Sequence, residues 1–156
     1  MLKLVIGDRN YSSWSLRPWL AARQAGLAFE EIPIALRTAN TRSEILKYSP
    51  SGKIPCLIDG ETVVWESLAI CEYLAEKAPS LLPSDSKTRA EARSISAEMH
   101  AGFSALRQEM SMDIRASTPS VIRSAELEND IARIVSIWEG CRQRHADEGP
   151  FLFGHF

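Results

Sequence analysis

Residues 2–6 read Leu-Lys-Leu-Val-Ile, and this run constrains the fold more than any other feature of the chain. A strand that is apolar on both faces of its pleat has no solvent side, so it belongs inside a sheet that other layers cover. Five residues suit a strand and are too few for a helix. Gly7 and Asp8 break the run, which does not suit a secretory signal. A polar turn over residues 8–15 follows, and then a helix marked by Leu16, Trp19, Leu20 and Arg23. Pro18 is tolerable in its first turn and Gly26 is its stop. Residues 29–34 read as a second strand, which Pro33 confines to an edge or a strand end. Thr41 with Glu44 three residues on opens a short helix reaching Tyr48, ended by Ser49-Pro50-Ser51-Gly52. The pair Asp59-Gly60 lies between apolar runs at 54–58 and 62–65 and marks a hairpin. Glu66-Ser67 opens a helix carrying Leu68, Ile70, Cys71 and Leu74, closed near Pro79. The order is β-α-β-α-β-β-α. Its first two strands are parallel across a crossover helix and its last two antiparallel, a small mixed sheet with helices on both faces.

A polar linker at 79–86 changes the pattern. Beyond it Ile95, Met99, Phe103, Leu106, Met110 and Ile114 recur at spacings of three and four, which predicts one long helix over about residues 85–115. Pro119 interrupts, and Ile122, Ile131, Ile134, Val135 and Trp138 mark a second helix. The chain closes on Phe151-Leu152-Phe153-Gly154-His155-Phe156, an apolar end that reads as an incomplete helical domain. The expected division is an α/β domain over 1–78, a linker over 79–86 and an all-α domain over 87–156.

Composition narrows the function. With 45% hydrophobic and 24% charged residues, the chain can bury a core and is not a disordered segment. Its 18 basic and 20 acidic side chains give a net charge of −2 without a basic stretch, which argues against nucleic acid as partner. No apolar run approaches the ~20 residues of a membrane-spanning helix. Cys56, Cys71 and Cys141 are odd in number and lack CxxC spacing, as in a reduced, cytoplasmic protein. His100, His145 and His155 have no acidic or cysteine partners at ligand spacing, so no metal is expected.

Three segments carry candidate chemistry. Ser12, Ser13 and Ser15 stand at the mouth of the first helix, where unpaired amides and a partial positive charge favour an anion or thiolate. Lowering a thiol pKa by ~2 units needs about 2.7 kcal/mol. A hydrogen bond to a charged group supplies roughly 1.5–3 kcal/mol and a helix end about 0.3–1 kcal/mol. The competing role for these serines is helix capping. In Gly52-Lys53-Ile54-Pro55-Cys56-Leu57, a cis proline would turn the preceding backbone outward toward a peptide-like ligand, and Cys56 reads as a small buried strand residue. Glu66 and Ser67 at a helix start suit the amino and carboxylate ends of an amino acid, with capping again the alternative.

In this order the three segments resemble the glutathione S-transferase superfamily. Ser-Ser-Trp-Ser-Leu-Arg at 12–17 is similar to the serine motif of its zeta-related members. Ser-Pro-Ser-Gly-Lys-Ile-Pro at 49–55 is similar to the loop before the family's cis-proline. Glu-Ser-Leu-Ala-Ile-Cys-Glu-Tyr-Leu at 66–74 is similar to its glutathione-binding helix start. The resemblance implies an α/β thioredoxin-like N-terminal domain followed by an all-α helical domain, here incomplete. It implies glutathione as co-substrate, with Ser12 activating the sulfur and Ser13 and Ser15 competing for that role. Trp14, where many zeta enzymes have cysteine, joins the glutathione-binding set. Ile54 would pair its backbone with the cysteinyl unit, Pro55 would hold the cis bend, and Lys53 would approach the glycyl carboxylate. Glu66 would face the γ-glutamyl ammonium and Ser67 its carboxylate. His100, Phe103 and Arg107, with Met110, would wall an electrophile pocket between the two domains. The implied activity is conjugation of glutathione to a small hydrophobic electrophile in detoxification. The alternatives are cis-trans isomerisation of the maleylacetoacetate type and a non-catalytic glutathione-binding role. A cytoplasmic homodimer, with neither nucleic acid nor membrane as partner, completes the expectation.

Overall fold

β1 (Leu2–Ile6) occupies an inner position of a four-stranded sheet of order β2-β1-β3-β4. It pairs in parallel with β2 (Phe29–Pro33) and antiparallel with β3 (Cys56–Asp59), which in turn pairs antiparallel with β4 (Thr62–Trp65). The computed structural model describes residues 1–117 and 123–155, so Pro119, Ile122 and Phe156 lie outside the described residues. The chain divides into two compact units, Met1–Leu81 and Leu82–Phe156.

In the first unit, α1 (Ser13–Gln24) and α3 (Ser67–Lys77) cover one face of the sheet. Leu2, Leu4, Ile6 and Leu57 of the sheet pack there with Ala22 of α1 and Ile70 and Leu74 of α3. The short helix α2 (Thr41–Leu46) lies on the other face, where Ile45 joins Val5, Ile34 and Cys56. β1 is thus covered on both sides, as its apolar sequence requires. β2 is an edge strand and Pro33 ends it, so the missing amide costs no ladder bond inside the sheet. α1 stops at Gly26, whose φ of +66° is open to glycine without strain. There Gly26 N–H donates to Arg23 O and Leu27 N–H to Ala22 O, both at 3.0 Å, the paired bonds of a left-handed helix end.

Several local expectations need correction. The hairpin turn is Gly60-Glu61 and not Asp59-Gly60, because Asp59 still pairs with Thr62 and Gly60 takes the positive φ of +60°. α1 begins at Ser13, so Pro18 lies inside it and not in its first turn. Its buried ring replaces a helical N–H. Thr41 does not cap α2. Asn40 holds the cap position, while Thr41 Oγ1 donates to Ala35 O at 2.8 Å and accepts Thr38 N–H at 3.0 Å, tying the preceding loop together.

The second unit holds α4 (Ser86–Ala101), α5 (Ser104–Glu109) and α6 (Ala125–His145). The single long helix expected over 85–115 is broken. Gly102 is extended and Phe103 adopts left-handed backbone at φ 62°, ψ 47°. Phe103 is buried among Ile134, Ile137 and Cys141. Burial of the ring offsets the left-handed backbone, which costs a non-glycine residue about 1–2 kcal/mol. Arg107 seals the break, its guanidinium donating to Gly102 O at 3.0 Å and to Met99 O. Met110 and Ile114 of the expected stripe are exposed. Ser124 caps α6, accepting Leu127 N–H at 3.1 Å.

Candidate functional site

The strand register gathers the three sequence segments at one end of the sheet. Val5 pairs with Cys56 and Cys56 with Trp65. The C-terminal end of β1, the N-terminal end of β3 and the C-terminal end of β4 therefore lie side by side. From these ends run Gly7 with the turn into α1, Ile54-Pro55, and Glu66-Ser67. Gly7 shows how close two of them come. A Cβ placed on it would stand 2.8 Å from Ile54 Cδ1 and 3.0 Å from both Leu36 Cδ1 and Ser12 Cβ. Sequence reasoning passed over Gly7 except as the end of a run. A glycine directly after a buried strand, with serines following, was the available signal.

Ser12 is the N-cap of α1. Its Oγ accepts Ser15 N–H at 3.4 Å and its hydroxyl donates to Ser15 Oγ at 2.9 Å. Ser15 is buried, and its Oγ also accepts Gly7 N–H at 3.0 Å. Ser15 is therefore a structural tie between β1 and α1, while Ser12 and Ser13 stay half-buried at the helix mouth. Trp14 lies beneath the guanidinium of Arg17, 4.5 Å from its ring centre. Tyr11, which opens the same segment, is exposed and carries the Arg37 guanidinium 4.9 Å from its ring centre.

The Ile54-Pro55 peptide bond is cis and Pro55 is buried, while Lys53 is exposed. Glu66 holds left-handed backbone at φ 70°, ψ 127° and makes no side-chain cap bond to α3. A carboxylate residue in that conformation calls for a reason beyond local folding. Ser67 follows as the first residue of α3. It is 2% exposed, and its Oγ has no hydrogen-bond partner among the described residues. Capping, the alternative use of this pair, is not what the side chains do.

The cysteines offer no nucleophile here. Burial pushes the thiols of Cys56 and Cys141 up from their ordinary value and that of Cys71 to about 11. No group of three metal-ligating side chains occurs among the described residues, and none of the described helices is long and apolar enough to cross a membrane. In the second unit, His100 is half-buried in the last turn of α4. Phe103 is a core residue and Arg107 is spent on the carbonyls of the α4–α5 break.

Sheet, helices and the converging loops define a thioredoxin-like α/β domain followed by helices. Residues 11–77 match the family described as glutathione S-transferase, N-terminal domain. A zeta-class glutathione S-transferase of Euphorbia esula is 40% identical over 86 residues, 53% of this chain and 38% of that protein. A probable maleylacetoacetate isomerase of Caenorhabditis elegans is 34% identical over 100 residues, 63% of this chain and 46% of that protein. The matched segment thus spans about two fifths of the length of these curated relatives. The crystal structure of a Burkholderia glutathione transferase homologue with bound glutathione superimposes with a TM-score of 0.70 at 22% identity, covering 99% of this chain and 72% of that one. An unclassified glutathione S-transferase of Bombyx mori gives 0.72 at 24% identity, covering 98% and 73%. Residues 11–77 thus match the N-terminal domain of the glutathione S-transferase family, and the chain is similar to zeta-class members of it.

Proposed function

We propose that the chain is a glutathione transferase, binding reduced glutathione at the shared sheet end and presenting its thiolate to a small hydrophobic electrophile. The observation that carries this reading is Ser67, a buried hydroxyl without a partner at the start of an 11-residue helix. A buried hydroxyl left unpaired is costly, and the γ-glutamyl carboxylate would supply its acceptor next to the amides of α3. Glu66 would face the ammonium of the same unit. The backbone of Ile54, before cis Pro55, would pair with the cysteinyl unit, and Lys53 would lie toward the glycyl carboxylate.

The sulfur would then rest at the mouth of α1. Ser12 Oγ already accepts an amide proton, which polarises its own O–H. That O–H would turn from Ser15 to the thiolate, exchanging a neutral hydrogen bond for a charge-assisted one. Ser13 is the competing donor, and Trp14 with Arg17 would border the same space. The thiol proton leaves to solvent, the sulfur lone pair forms a bond to the electrophilic carbon, and the displaced pair departs with the leaving group. The chemical step needs no protein nucleophile. Of the residues the resemblance assigns to the electrophile, Phe103 and Arg107 are engaged in the α4–α5 break, which leaves His100 and Met110 of the expected set. A cytoplasmic homodimer serving detoxification is the setting this reading takes from the family.

Titration calorimetry with reduced glutathione tests the proposal. Wild type should bind, and Ser67→Ala should bind roughly tenfold more weakly or worse, as expected for a lost bond to a carboxylate. Equal binding by the two proteins would remove Ser67 from the site. Binding without turnover over a broad electrophile panel would favour the non-catalytic role.

A further inference from the structure

Behind the loop that presents Ile54 lies a set of hydroxyls that the proposed chemistry does not use. Ser49 is fully buried, and its amide donates to Ile45 O at 2.9 Å, fixing it to the end of α2. Its carbonyl accepts Gly52 N–H at 3.1 Å, which closes a turn with Gly52 at φ +67°. Ser49 Oγ lies 3.0 Å from Ser51 Oγ. The Cys56 thiol donates to Tyr48 O at 3.5 Å. Ser51 Oγ accepts Lys53 N–H at 3.2 Å. The connection runs from the end of α2 through two hydroxyls to the amide just before Ile54, whose side chain in turn packs against Gly7.

We infer that Ser51, held by Ser49, is a positioning residue: it fixes the path of residues 51–54 so that the Ile54 backbone stands ready for the cysteinyl unit of glutathione. The inference rests on the glutathione reading above. Loss of the Ser51 hydroxyl frees the Lys53 amide, and the ordering of the loop is then charged to binding. The thiol end is untouched, because Ser12 belongs to a different segment.

The test measures reduced-glutathione affinity, the pKa of the bound thiol from its thiolate absorbance, and thermal midpoint, for full-length wild type, Ser51→Ala, Ser51→Thr and Ser49→Ala. Ser51→Ala should bind about fivefold more weakly, the equivalent of ~1 kcal/mol, with the bound-thiol pKa unchanged. Ser51→Thr keeps the hydroxyl and should restore affinity. Ser49→Ala should repeat the loss. Wild-type affinity in a folded Ser51→Ala protein would overturn this inference and leave the glutathione reading standing. A raised bound-thiol pKa in Ser51→Ala would also overturn it, since the effect would then reach the sulfur. Failure of wild type to bind would overturn the reading itself, and the inference with it.

Discussion

The Ser12 hydroxyl donates to Ser15 Oγ at 2.9 Å, while that same oxygen accepts the amide of Gly7 at 3.0 Å. The two serines are linked but differ in what their loss exposes. Ser15→Ala leaves a buried amide unpaired and should lower stability by about 1–3 kcal/mol, with the bound-thiol pKa unmoved. Ser12→Ala loses a cap bond worth ~1 kcal/mol and should also raise the bound-thiol pKa by about 1–2 units, the equivalent of a lost charge-assisted bond. Chemical denaturation together with a pH–rate profile separates the two cases. A thiol pKa unchanged in Ser12→Ala would move the role to Ser13.

Ser67→Ala offers the converse pattern. Its hydroxyl has no partner to lose within the protein, so urea denaturation without ligand should show stability unchanged or slightly raised. Any loss should emerge only when glutathione is present. Destabilisation of the free protein by more than ~1 kcal/mol would mean that the hydroxyl serves the fold.

Glu31 ties the edge strand β2 to α1 and the turn before it. It accepts Trp19 Nε1–H at 2.9 Å, and Arg23 and Arg9 at 3.3 and 2.6 Å. The Trp19 bond, with help from both arginines, holds its carboxyl below the usual glutamate value. Near that value the unfolded chain binds more protons than the folded one, so this contribution is present above it and fades as pH falls. Glu31→Gln should therefore flatten the acid side of a stability curve taken from neutral pH down to about 3. A parallel curve would show that the ties are not formed in solution.

Cys71 acts at the other end of the scale. Its folded-state pKa of about 11 against an ordinary value of 9.0 means that the unfolded thiol loses its proton first. Stability should fall between these pH values by on the order of 2 kcal/mol. Cys71→Ala should remove that slope whatever it does to stability at neutral pH. In native protein near pH 8 the thiol should resist maleimide reagents that label it once urea is added.

The inner strands of the sheet were legible because burial leaves a short apolar run, which β1 and β3 carry, while the largely exposed β4 was legible from the turn residues before it. α1 and α3 were legible from their apolar faces and stops. The α4–α5 break was not. Phe103 sits on the expected apolar spacing, and its burial is real, but spacing reports only which face a side chain needs. It says nothing about Gly102 leaving the helix or Arg107 folding back onto freed carbonyls. At the site, residue types and order pointed to Ser12, Pro55, Glu66 and Ser67. The division of labour between Ser12 and Ser15 depends on which hydroxyl faces Gly7, and no periodicity encodes that. The hydroxyls of Ser49 and Ser51 stayed hidden for the same reason, since serines in a turn are ordinary.

Glycine would suit the backbone at position 66 better than glutamate does, because φ 70° falls where a side chain is a burden. Glu66→Gly should make the empty protein hardier by up to about 1 kcal/mol. On the glutathione reading, heat tolerance and amine recognition would then pull this one codon in opposite directions. On that reading, a screen for thermal endurance alone would be expected to erase the acid, leaving a sturdier molecule with a poorer grip on the tripeptide.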